Sequence, residues 1–116
     1  MNRDVGKYAN DLALMGAVAL GYQDALNMVL DRYMLMVSRA SYRILCDRDD
    51  SEDITREVFV RVWTKASDFD GRCKLSIWIY HIICNLCLGR LRWRRVLSVL
   101  SITPPLYELS APLAIS

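Results

Sequence analysis

Glycine and proline are scarce, with five and three in 116 residues. A β-sandwich or barrel needs turn residues about every ten positions, so that class is excluded. There is one histidine, no Gly-rich phosphate loop, and no pair of carboxylates set among apolar residues. That leaves little to build an enzyme active site from, and no cofactor is implied. No stretch approaches the roughly 20 apolar residues that a membrane helix needs. The longest uncharged run, 75–89, has 15 residues and carries His81 and Asn85. Nor is there a secretory signal: Leu12 to Leu20 is short and interrupted by Gly16. Four cysteines (Cys46, Cys73, Cys84, Cys87) without an export signal point to free thiols in a reducing cytoplasm.

What is present is apolar and moderately charged. Hydrophobic residues make up 53% and charged residues 24%, enough for one small core and against whole-chain disorder. The spacing predicts an all-α fold: a compact bundle of three main helices with a short helix leading. Asp11 to Leu20 is the short one, with Asp11 as its N-cap and Gly21 as its break. From Tyr22 to Cys46, Leu26, Val29, Leu30, Tyr33, Val37, Ala40 and Ile44 recur at steps of three and four, one face of an amphipathic helix. Arg32, Arg39 and Arg43 mark its other side. A third helix starts near Asp50 or Ser51 and buries Ile54, Val58, Val62 and Ala66, with Phe59 and Trp63 flanking. Residues 67–74 read as a loop. The fourth helix starts at Leu75 or Ser76 and runs past Arg95. Its first half is apolar all round, which predicts the central core helix.

The net charge of +2 hides segregation. Residues 47–57 hold six acids against two arginines, a local balance of −4, whereas residues 90–95 hold four arginines and no acid. Both ends suit a helix dipole, and four clustered arginines also form a phosphate-binding footprint.

These pieces come in an order that carries more than any one of them. Asp49-Asp50-Ser51-Glu52-Asp53-Ile54-Thr55-Arg56-Glu57-Val58-Phe59, then Trp63, then Phe69-Asp70-Gly71, then Trp78-Ile79-Tyr80-His81-Ile82-Ile83-Cys84-Asn85, then the arginines, resemble region 2 of bacterial sigma factors. The nearest group is the extracytoplasmic-function sigma factors. The resemblance covers roughly residues 8–95. It departs at Arg56, where the group usually has Gln, at His81 and Cys84, usually Arg and Ala, and at Gly89, often Asp.

The resemblance implies a domain that binds core RNA polymerase and recognises and melts the minus-ten promoter element. Asp49, Glu52, Asp53, Arg56 and Glu57 would dock on the clamp helices of the polymerase β′ subunit. The loop 67–74 would take a base flipped from the single-stranded minus-ten DNA, with Phe69, Gly71, Arg72 and Lys74 as its materials. Phe69 could equally fold into the core. Tyr80 and Asn85 would face the melted strand, and Arg90, Arg92, Arg94 and Arg95 its phosphates. Trp78 reads better as packing. An anti-sigma factor is a further implied partner. The alternative is a stand-alone helical module that competes for polymerase or a regulator without reading a promoter.

The remaining 21 residues, 96–116, hold one charge, Glu108, and Pro104-Pro105. They are too few for the group's second DNA-reading domain, region 4, so the expectation is either a fragment or a version that lacks it. The fourth helix should reach about Ser101 and bury Leu97 and Leu100. His81-x-x-Cys84-x-x-Cys87 also invites a zinc reading. On a continuous helix these positions turn by about 60° per step, awkward for one tetrahedral ion. Small buried thiols are the preferred account, and no metal is expected.

Overall fold

In the computed structural model, residues 9–100 are described, and among them every regular element is helical. Helix α1 spans Ala9–Ala19, α2 Gln23–Leu45, α3 Arg48–Thr64 and α4 Leu75–Val99, with a 3-10 turn at Ala66–Asp68. Helices α2, α3 and α4 pack pairwise as a bundle, and α1 lies against α2, α3 and the 3-10 turn.

The core follows i, i+4 rows. Ala25, Val29, Val37, Ser41 and Leu45 line α2; Ile54, Val58 and Val62 line α3; Leu75, Ile79, Ile83 and Cys87 line α4. Residues four apart sit on one face of a helix, so each helix offers one stripe to the common interior. Met15 and Val18 of α1 close one side. The Ser41 hydroxyl is the one buried side-chain polar atom without a hydrogen-bond partner among the described residues.

The helix ends explain the boundaries. Gly21 takes φ +92, which glycine adopts without steric cost, and its N–H bonds Val18 while that of Tyr22 bonds Ala17. That paired pattern ends α1 and turns the chain into α2. Helix α2 ends at Cys46, whose φ of 54 is left-handed. Helix α3 begins at Arg48, earlier than the acidic run suggests. Asp47 is the N-cap, and its carboxylate accepts from the Asp50 N–H at 2.8 Å.

Three expectations are corrected here. Asp11 does not cap its own helix, which already begins at Ala9. Its carboxylate instead accepts from the Leu75 N–H at 3.1 Å, across 64 residues of sequence, and so caps α4, whose preceding residue Lys74 makes no side-chain cap. Second, α4 is not enclosed all round. Ile77, Tyr80 and Leu88 lie in the open, because a three-helix bundle can cover only one side of each helix. Third, α4 ends at Val99, and Leu100 is 60% exposed, because the last turn overhangs the bundle. Leu97 is half-buried. Ser101, Pro104-Pro105 and the remaining tail lie outside the described residues.

The cross-chain cap gives a first prediction. Asp11→Ala is expected to lower stability by about 1 kcal/mol, the usual worth of a capping carboxylate. Denaturant titration with an unchanged m-value checks it, and Asp11→Asn should recover most of the loss.

Candidate polymerase and nucleic-acid surfaces

The outer side of α3 is an acidic ridge. Asp49, Glu52, Asp53 and Glu57 are all exposed, as is Arg56, which donates to Asp53 at 2.5 Å. An exposed i, i+3 pair of this kind adds little stability. It trims the ridge's negative charge by one without removing its sign. Asp50 belongs to the same run of acids but turns the other way. It receives Arg90 at 2.6 Å and also Arg94, whose guanidinium donates in addition to the Leu45 carbonyl at 3.2 Å. Burial pushes the Asp50 carboxyl up, but the hydrogen bonds and charges of Arg94 and Arg90 outweigh that and hold it below its usual value.

Beside the ridge, α2 and α3 leave a groove of about 630 Å³. Its floor is apolar: Leu26, Leu30 and Met34 from one helix, Phe59, Val60 and Trp63 from the other. Glu52 and Arg56 belong to both ridge and groove. Periodicity alone assigns Leu26 and Leu30 to the core. They are only partly covered, because among the described residues no fourth long helix closes that side.

The loop between α3 and α4 is fixed from within. Phe69 is 4% exposed and meets Trp78 edge-on, with ring centres 5.6 Å apart. Its ring is therefore an anchor, not a free stacking surface. Gly71 is buried at φ +78, a left-handed backbone that glycine adopts without steric cost, and its Cα faces the Leu12 side chain of α1 at a distance that would leave a Cβ in ordinary contact, 3.4 Å. Asp70, Arg72 and Lys74 face outward. Asp70 holds the loop by accepting from the Arg72 backbone N–H at 3.0 Å and facing its guanidinium at 3.3 Å.

On α4, Tyr80 is 42% exposed and Asn85 faces solvent, while Trp78 is half-buried. The four arginines divide. Arg90 and Arg94, one turn apart, are committed to Asp50, and Arg92 and Arg95 are exposed. The signal for that division lies in the spacing, since at 3.6 residues per turn 90 and 94 fall on the side of 79, 83 and 87, and 92 and 95 on the opposite side. His81 is exposed and Cys87 sealed, so the three residues of the zinc-like spacing do not share a site. Burial pushes the Cys87 thiol up, which keeps it protonated. Among the described residues no three His, Cys, Asp or Glu side chains converge as a metal site would require.

Residues 29–96 match the protein family described as sigma-70 region 2. The chain is 35% identical over 78 residues to the ECF RNA polymerase sigma factor SigW of Bacillus subtilis (strain 168), covering 67% of this chain and 42% of that protein. It is 38% identical over 59 residues to the ECF RNA polymerase sigma factor SigK of Mycobacterium ulcerans (strain Agy99), covering 51% and 32%. The chain thus aligns with less than half the length of these curated relatives.

Proposed function

Because this chain belongs to the sigma-70 region 2 family, in its extracytoplasmic-function group, we propose that it is the polymerase- and promoter-binding domain of such a sigma factor. It docks on the β′ clamp helices of core RNA polymerase through α3 and holds the single-stranded minus-ten DNA along α4 and the loop before it. The observation that carries this reading is the family match over a bundle that leaves an acidic ridge with an apolar groove at its side. An acidic face at a helix N-terminus suits a basic coiled coil and sets on-rate and register, while the groove supplies apolar area. An anti-sigma factor would act by covering the same surface.

On the DNA side, Arg92 and Arg95 are free to reach phosphates, and Tyr80 to stack on a base. Arg90 and Arg94 reach the strand only if Asp50 releases them, so their first role is structural. Phe69 and Gly71 shape the loop from behind, and Arg72 and Lys74 form its basic rim.

Replacing both Arg92 and Arg95 by alanine is expected to weaken single-stranded DNA binding about equally for all sequences. The slope of log affinity against log salt should fall by about 1.4, or 0.7 for each phosphate no longer neutralised. Fluorescence anisotropy across a salt series checks it. The reading as a whole is tested by comparing minus-ten single strands with scrambled ones. Sequence-selective binding supports promoter recognition, whereas tight polymerase binding without selectivity would make the chain a polymerase-binding competitor instead.

A further inference from the structure

The groove between α2 and α3 lies within a charge pattern that complements itself. A two-residue connection makes the two helices antiparallel neighbours. Near that connection the groove opens into a recess of about 940 Å³, where Arg39, Arg43 and Arg48 stand against one acid, Glu52. The acidic ridge, with Asp49 and Asp53, flanks the other side of the same end. Toward the far end the signs invert: Asp31 and Asp24 lie on α2, Arg61 and Lys65 at the end of α3. Arg32 lines neither cavity. All of these charges are exposed, and among the described residues only Asp53 has an ion-pair partner, Arg56.

We propose that this face pairs with a second copy of the chain. A two-fold axis along the groove lays α2 of each copy over α3 of the other, so the apolar floors of the two grooves face each other. The ridge of each copy, through Asp49 and Asp53, meets the arginine recess of the other, and Asp24 and Asp31 meet Arg61 and Lys65. Every match occurs twice, because the interface is isologous. A partner of a single sign of charge complements only half of this pattern. Met34, Val60 and Trp63 are 43%, 58% and 37% exposed, and pairing removes them from water. Two helices about 25 Å long and about 10 Å apart present roughly 500 Å² per copy, the low end for a specific interface. The dimer is therefore weak and reversible, with a Kd of about 10–100 μM. Where the same face docks polymerase, pairing hides it.

The test is sedimentation equilibrium of the full chain up to about 300 μM, well above the expected Kd. A reversible monomer–dimer equilibrium is expected, and it should weaken about tenfold between about 0.05 and about 0.5 M salt. Arg39→Glu with Arg43→Glu puts acids on both sides of the groove at that end, and Asp49→Lys with Asp53→Lys puts bases on both. Each variant alone should dimerise at least about tenfold more weakly than the parent, because like charges then meet. A 1:1 mixture of the two should restore association, since acid meets base at both contacts again. A parent that stays monomeric throughout leaves the face to another kind of partner and overturns the proposal. So does a dimer that the glutamate substitutions leave unchanged, or a mixture of folded variants that stays monomeric. If the lysine variant does not fold by circular dichroism, the glutamate variant decides alone: loss of the dimer with the fold retained supports the pairing, and an unchanged dimer overturns it. No polymerase or DNA enters these measurements, so failure here leaves the sigma-factor reading untouched.

Discussion

Replacing Asp50 with alanine is expected to destabilise the domain by about 2–3 kcal/mol, the range for losing hydrogen bonds to charged groups in a partly covered site. Asp50 joins three elements: it sits in the first turn of α3, binds two arginines of α4, and through Arg94 meets the carbonyl of Leu45 at the end of α2. Its removal leaves two guanidinium groups facing each other with no anion between them. For a domain this size each kcal/mol moves the melting temperature by roughly 4–8 °C, so the fall should be about 8–24 °C. Thermal melts followed by circular dichroism check it, and a change under about 2 °C would show the cluster to be energetically idle.

The same residue predicts an acid response. The folded carboxyl titrates below its usual value of 3.8, held there by Arg94 and Arg90 against burial. A lowered folded pKa gives stability that is present above the unfolded value and lost as pH falls through the folded one. The parent protein should therefore lose this contribution below about pH 4, and Asp50→Ala should lack that part of the acid transition.

The second large effect is on partner binding. Asp53→Ala with Glu57→Ala is expected to weaken association with core RNA polymerase by about ten- to a hundredfold, at about 1.4 kcal/mol per factor of ten. Both carboxylates are exposed and neither belongs to the core, so helical content should be unchanged. Asp53 also balances Arg56, and its loss sets a free cation on the ridge, which compounds the effect against a basic partner. Titration of labelled protein with core polymerase at two salt concentrations checks it. The loss should shrink at high salt, since screening already weakens exposed pairs. Unchanged affinity would move the docking face away from α3.

Much of the architecture is legible in the residues, and the failures have physical causes. The periodic rows of α2 and α3 mark their buried faces because one stripe per helix must meet the interior: Val29, Val37, Ile54, Val58 and Val62 are all sealed. Helix α4 reads as enclosed because composition cannot tell an apolar residue that is buried from one left open, as Ile77 and Leu88 are. Asp50 is indistinguishable from its acidic neighbours in sequence, and it differs only in the side of α3 it occupies. Contacts such as Asp11 with Leu75 leave no local trace, since neither residue's neighbourhood refers to the other.

The placement of α1 bears on how such a domain can be changed. Asp11 caps the start of α4, and Leu12 lies behind Gly71 in the loop that precedes it. The loop before α4 thus has its foundation in α1, about 60 residues earlier in the sequence. A loop between positions 67 and 74 taken from another protein would arrive without that foundation. Exchange of this loop between related domains therefore has a unit made of two separate pieces, α1 and the loop. A library that varies residues 11 and 12 together with 67–74 should retain folded members that a library of the loop alone discards.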